Sequence, residues 1–389
     1  MSPETGKKGT PPPTLDVDAL IDDPQTRVIV CCGSGGVGKT TTSAAIALRA
    51  AERGRQAVVL TIDPAKRLAQ ALGLDELSND PAPVADADGE LSAMMLDMRR
   101  TFDEMVHGHA PEDRARKIIE NPFYQTISTS FSGTHEYMAM EKLGQLVAAG
   151  TWDLVVVDTP PSRSALDFLD APQRMSRFLD GRMIRLLASP ARAGGKGLRK
   201  IVGAGFGLFA KTVGTIIGGQ MLQDASAFVQ AFDTLFGGFA ERAEKTYALL
   251  RSPGTAFLVV AAPEPDALRE AAYFTDRLSS EEMPLAGLIL NRTHPVLAPV
   301  SAARARAAAE QVGGPGSQIA AAVLRLHADR VDLAEREQRL LTRFSGAHPS
   351  VPVVRVPAVV EDLAELDGLR HVGDLLGGEA RSGAAATVG

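Results

Sequence analysis

The sequence predicts an α/β class fold, a doubly wound and mostly parallel sheet carrying a helical insertion subdomain. Three observations lead there. Short apolar runs rich in β-branched residues recur along the chain, amphipathic helical patterns separate several of them, and a glycine-rich turn joins the first run to the first helix. With 389 residues, 45% of them hydrophobic and 23% charged, the chain can bury a large core, which excludes disorder throughout. The length alone fits about two or three domains, or one large α/β domain with insertions.

Taken in order, residues 1–26 are Pro-rich and charged, a composition that predicts a disordered arm with too little apolar surface to offset the entropy of ordering. Strands follow at residues 27–32 (RVIVCC), 57–62 (AVVLTI), 154–158 (LVVVD), 257–261 (FLVVA), 285–290 (LAGLIL) and 353–356 (VVRV). Their apolar runs are continuous rather than alternating, as a parallel strand requires when helices cover both faces of its sheet. Residues 41–53 and 267–278 read as two of those helices. The intervals 92–150 and 165–252 are too long for simple crossovers and read as helical insertions. Within the second, Leu222, Ala225, Phe228, Val229, Phe232, Leu235, Phe236 and Phe239 keep the three-to-four spacing of one helix face, with Gly237 and Gly238 as a weak point. The tail, residues 377–389, is small and polar enough to be disordered. The folded body is therefore expected over residues 27–376.

The net charge of −6 argues against a protein that coats nucleic acid. The only cysteines are the adjacent Cys31 and Cys32, which a strand directs to opposite faces, so neither a disulfide framework nor a four-cysteine metal site can form within the chain. That usage suits a reducing cytoplasm. The first residues carry no apolar segment of the kind that opens a secretory signal, and the expected location is cytoplasmic.

The strongest local signal is Gly33, Ser34, Gly35, Gly36, Val37, Gly38, Lys39 and Thr40, which satisfies G-x-x-x-x-G-K-[ST] between a predicted strand and a predicted helix. Backbone N–H groups of such a loop turn around phosphate oxygens, Lys39 reaches the outer phosphates and Thr40 ligates Mg2+. The helix continuing through Thr41 presents its positive end. A nucleoside triphosphate is the expected ligand. Asp158 ends a buried apolar run in the Walker-B pattern and is expected to support Mg2+. Asp63 ends another run and belongs at the same sheet edge, where open α/β sheets bind ligands. There it orients or deprotonates the attacking water, or it caps the next helix.

These residues and their neighbours resemble a known family. The runs CCGSGGVGKTTTSAAIALRAAERG, TIDPAKRLAQALG, FSGTHEYMAMEKL, VVVDTPPSRSALDFL and LILNR are similar in order and spacing to the arsenical-pump and guided-entry (tail-anchored-protein targeting) ATPases, a branch of the deviant Walker A class. The likeness runs through most of the chain and is strongest to actinobacterial arsenical-pump-like members. It implies a P-loop NTPase fold, ATP and Mg2+ as cofactors, and a homodimer or a heterodimer with a paralogous ATPase. It also implies that Asp63 positions the hydrolytic water in switch I, that Asp158 opens switch II, that Asn291 reads the adenine edge, and that Pro357 begins the adenine-side segment 357–367. Residues 133–136 match a family motif only at Gly133 and Glu136 and read as structural. Ser34 stands where the family carries a signature lysine that reaches a partner's nucleotide; a hydroxyl cannot supply that charge, so the expectation is slow hydrolysis or a site completed by a partner. The family's Cys-x-x-Cys clamp is missing, and no cysteine trio exists to bind arsenite or antimonite.

Nine of the eleven methionines, namely Met94, Met95, Met98, Met105, Met138, Met140, Met175, Met183 and Met221, fall in or between the insertions. Flexible Met side chains suit a groove for apolar client helices, and an ordinary helical core explains the same periodicity. Residues 181–223 hold seven basic residues and no acid, beside an apolar, Gly-rich run at 201–219. That segregation suggests that 181–239 meets an apolar-helix client or an anionic membrane surface, which would make the protein peripherally membrane-associated; a solvated loop accounts for it equally. The reading reached is a Mg2+-dependent ATPase acting as a conformational switch that binds and releases a protein client. Its alternative is a weakly hydrolysing or non-catalytic nucleotide-binding scaffold.

Overall fold

A computed structural model describes residues 12–63, 65–122, 124–125, 134–160, 241–242, 244–314, 316–359 and 365–378. Every predicted apolar run becomes a strand within it. In chain order the strands are β1 (Val28–Cys32), β2 (Ala57–Thr61), β3 (Ala82–Pro83), β4 (Leu91–Met95), β5 (Leu154–Asp158), β6 (Thr255–Ala261), β7 (Leu285–Thr293) and β8 (Val353–Pro357). They form one sheet in the order β3-β4-β2-β5-β1-β6-β7-β8, parallel throughout except for β3. The chain winds outward from β1 to β2 and β4, returns to β5, then crosses to β6, β7 and β8, so the topology reverses at β1. Ligands of open α/β sheets bind at such a reversal, beyond the strands' carboxyl ends.

The two-residue strand period sorts the core into two layers. Val28, Val30 and Cys32 join one buried cluster while Ile29 and Cys31 join the other, and β2, β5 and β6 divide likewise. On one face lie α1 (Val17–Asp22), α2 (Lys39–Glu52), α3 (Arg67–Ala71) and, from the end of the described chain, α10 (Leu366–Leu376). The buried side of α2 is dominated by Ala44, Ala45, Ala47, Ala50 and Ala51, small residues that let the helix lie close against the strands. The other face is covered by α4 (Met98–His109), α5 (Glu112–Ile119), α6 (Thr134–Ala149) and α7 (Pro265–Ser280). Two further helices, α8 (Ala302–Gln311) and α9 (Ser317–Ala347), pair through Ala302, Ala305, Ala328 and Val331 and leave Ile319, Val323 and Leu326 exposed.

Three expectations change. Residues 12–26 are not a disordered arm: the Leu15 N–H donates to the Val353 carbonyl, the Val353 N–H donates to the Pro13 carbonyl, Thr14 bridges Val353, and Leu15, Val17 and Ile21 are buried. The edge of β8 offers unpaired backbone groups, and the apolar side of α1 gains more by covering the sheet than composition suggested. The boundary at 92 falls inside β4, a sheet strand beside β2, so on this side the extra helices begin at Met98. Finally, Met94, Met105, Met138 and Met140 are core residues with almost no exposed surface, and Met98 packs partly buried against them, so these methionines line no groove.

Residues 244–250 are helical. The apolar face expected at 222–239, the basic stretch 181–223, Met175, Met183, Met221 and the tail beyond residue 378 lie outside the described residues. Among the described residues, no helix is long and apolar enough to cross a membrane.

Candidate functional site

The loop after β1 bends in a way that only glycine permits at two points. Gly33 has φ +151°, and a Cβ there would stand 2.1 Å from the Val260 carbonyl oxygen on β6. Gly38 has φ +94°, and a Cβ there would meet the Asn291 amide nitrogen at 2.3 Å. The loop therefore presses on β6 and on the end of β7, and α2 starts immediately behind it. Lys39 folds back across the loop: its ammonium donates to the Gly33 carbonyl at 2.9 Å and the Ser34 carbonyl at 2.8 Å. Burial pushes Lys39 below the ordinary lysine range, opposed chiefly by the Asp158 charge. An ammonium has three N–H donors, and two are engaged here.

Asp158, at the end of β5, is fully buried. Its Oδ2 accepts from the Thr40 hydroxyl at 2.8 Å and from the Thr61 hydroxyl at 2.9 Å, while Oδ1 is buried with no hydrogen-bond partner. Burial pushes the carboxyl up to about 6, against the opposite pull of those two hydroxyls and of Lys39. A buried carboxylate oxygen left orphaned beside a hydroxyl is the hard oxygen donor set that Mg2+ takes together with phosphate oxygens and water, so Thr40 and Asp158 fit that ion.

Asp63 follows β2 and accepts from the Ala65 N–H at 3.0 Å, which folds the chain toward α3. Thr61 links the two acids, its hydroxyl donating to Asp158 and accepting from the Asp63 N–H at 3.2 Å. Gly36, Gly38, Lys39, Thr40, Thr41, Asp63, Arg67, Thr159 and Arg292 line a cavity of about 150 Å³.

The structure thus brings Lys39, Thr40, Thr41 and Asp63 to one cavity, with Asp158 bonded beneath it. Gly33, Ser34, Gly35 and Val37 complete the loop outside the lining, and the Ser34 hydroxyl is buried without a partner. Asn291 serves first as a brace: its amide N–H donates to the Val37 carbonyl at 2.9 Å, and its Oδ1 accepts from the Arg292 N–H at 2.9 Å. Pro357 ends β8 opposite Thr293 and is not among the residues that line the cavity. Sequence reasoning missed Thr61, Arg67 and Arg292, as well as the Glu337 carboxylate of α9, which accepts from the His294 N–H at 2.9 Å and meets its ring Nδ1 at 2.6 Å. The position of Arg67 four residues after Asp63 was a readable signal; the others depend on tertiary contact.

Comparison with known proteins bears on this geometry. A family model described as anion-transporting ATPase matches residues 26–311. The chain is 31% identical over 179 residues to ATPase GET3 of Malassezia globosa, covering 46% of this chain and 52% of the relative. It is 32% identical over 181 residues to an uncharacterized Streptomyces coelicolor protein, covering 46% and 44%. It is 26% identical over 284 residues to ATPase GET3 of Phaeosphaeria nodorum, covering 72% and 80%. The first two alignments span about half the length of those relatives.

Proposed function

The chain belongs to the anion-transporting ATPase family, and from that premise we propose that it is a Mg2+-dependent ATP hydrolase whose nucleotide state controls its binding of a protein client. The observation that carries this reading is the meeting of Lys39, Thr40 and Asp63 at one cavity, with Asp158 tied to Thr40 beneath it. In this reading the folded body over 27–376 is an ATPase domain, Gly33 to Thr41 cradle the polyphosphate, and Asn291 and Pro357 stand on the base side. Mg2+, held by Thr40 and Asp158, would draw negative charge from the phosphate oxygens. Lys39 holds the loop closed through two carbonyls and gives its third N–H to an outer phosphate. Asp63 accepts a hydrogen bond from the water that attacks the terminal phosphorus; as the new P–O bond forms, the bond to the bridging oxygen breaks, and ADP and phosphate leave.

Loss of the terminal phosphate removes the water held between it and Asp63 and a contact of the chain following Asp158, and their relaxation is the proposed switch. A second copy or a paralogous ATPase is the proposed partner, the cytoplasm the proposed location, and residues 181–239 the proposed contact with an apolar client or an anionic membrane surface. Nucleic acid is not a proposed partner.

A second reading is favoured by Ser34, which brings no cation to the loop: a nucleotide-binding scaffold that hydrolyses slowly or not at all. Single-turnover hydrolysis of Mg-ATP separates the two. The enzyme reading expects measurable turnover in the natural chain and a loss of about 100-fold or more in Asp63→Asn, with ATP still bound. Equal rates for the two proteins, with ATP bound to both, would sink it. A rate that becomes measurable only in Ser34→Lys supports the scaffold.

A further inference from the structure

Three cationic side chains line the cavity, and they are not equivalent. The Lys39 ammonium is buried and tied to two carbonyls of its own loop. Arg292 sits on left-handed backbone, φ +59°, with its N–H on Asn291. Arg67 stands on the first turn of α3, four residues beyond Asp63, with its Nη1 3.7 Å from the Asp63 Oδ2 and its side chain 57% exposed. That separation is too long for a hydrogen bond, and with the arginine side open to solvent the pair holds weakly. Among the described residues, Arg67 makes no other ion pair or side-chain hydrogen bond. Its charge also acts on the phosphate loop, since it is one of the influences pushing Lys39 down.

We propose that Arg67 is a ligand of the terminal phosphate, supplied by the same chain: when ATP enters, the guanidinium passes from the Asp63 carboxylate to the phosphate, and the exchange frees Asp63 to engage water. This rests on the ATPase reading above and names a residue that reading leaves unused. A terminal phosphate carries more charge than one carboxylate and offers several oxygens to the planar guanidinium fork, so it outcompetes a partner 3.7 Å away. Ser34 contributes only a hydroxyl to the loop, so charge developing on the transferred group has the cations of the lining, Arg67 among them, to meet it. One movement then does two things. It neutralises the phosphate, and it removes the cation that holds the water-binding acid.

The test uses the full chain in its natural form and as Arg67→Ala and Arg67→Lys, with calorimetric titration of the imido analogue of ATP and of ADP in magnesium, and with steady-state hydrolysis. The expected result for Arg67→Ala is a loss of affinity for the ATP analogue of about 10-fold or more with ADP affinity unchanged, together with a kcat lower by about 100-fold. Arg67→Lys restores the charge without the fork and recovers part of both, and it keeps the test open if Arg67→Ala folds poorly. An unchanged preference for the ATP analogue over ADP in both variants overturns the proposal, because a residue that merely braces Asp63 lowers kcat without altering that preference. If the natural chain binds neither nucleotide, the ATPase reading fails and this one with it; if the natural chain turns over and the variants match it, only the role of Arg67 fails.

Discussion

Thr61 shows how much a single side chain sets in this site. Its hydroxyl is buried between the two acids, donating to Asp158 Oδ2 and accepting from the Asp63 N–H. Thr61→Val keeps the shape and removes both bonds. It leaves Asp158 with Thr40 as its sole hydroxyl donor, and burial then raises the carboxyl further above its already elevated value. The expected cost is about 1–3 kcal/mol in urea unfolding, the usual penalty for stranding a buried polar partner. Hydrolysis should slow more than ADP binding weakens; a variant of unchanged stability and rate would contradict the linkage. Lys39, Thr40, Asp63 and Asp158 were legible from the sequence because loop spacing and strand ends are local properties. Thr61 and the His294–Glu337 pair were not, because their partners lie on β5 and on α9.

At the scale of elements, Arg49 ties the first, second and last described helices together. From α2 its guanidinium donates to both oxygens of Asp18 on α1, at 2.6 and 2.7 Å, and to Asp374 on α10 at 3.0 Å. The hydrogen bond from Arg49 holds Asp18 below its ordinary value of 3.8. A depressed carboxylate stabilises the fold above its unfolded value and loses that contribution as pH falls through the folded one. Arg49→Ala is therefore expected to lose about 3 kcal/mol at neutral pH, since Asp18 keeps only the longer Arg53 contact and Asp374 loses its Arg49 bond. The gap to the natural chain should narrow as pH falls below 3.8 and through the lowered folded value of Asp18. Thermal unfolding between acid and neutral pH checks it, and a gap that persists at low pH would reject the clamp. The clamp also shows why composition misread residues 12–26. Proline and charge suggested an arm, yet the charges of α1 find partners on α2 and its apolar side finds the sheet. β4 was missed for a similar reason: Ser92 interrupts its apolar run, although the pairing with β2 buries the strand.

For the whole molecule, the sheet order places the phosphate loop at β1, between β5 and β6, with the acids of β2 and β5 on one side and the brace from β7 on the other. A site so placed opens beyond the sheet edge. Arg67 remains more than half exposed at its lining. Hydrolysis benefits when water other than the attacking molecule is kept out, and charge stabilisation strengthens as water leaves. The proposed second copy would supply that cover, and by mass action a partner that binds only the ATP-loaded state must itself be favoured by ATP. The slow variant Asp63→Asn is the form in which to see this, since its ATP persists. In sedimentation it is expected to run near the 41.0 kDa chain mass without nucleotide or with ADP, and near twice that mass with Mg-ATP. Its melting temperature with ATP should then rise with protein concentration, as it does for any coupled association. The natural chain should revert as ATP is consumed. A variant that binds ATP and stays at the mass of one chain at every concentration would leave the ATPase standing and remove the second copy from its mechanism.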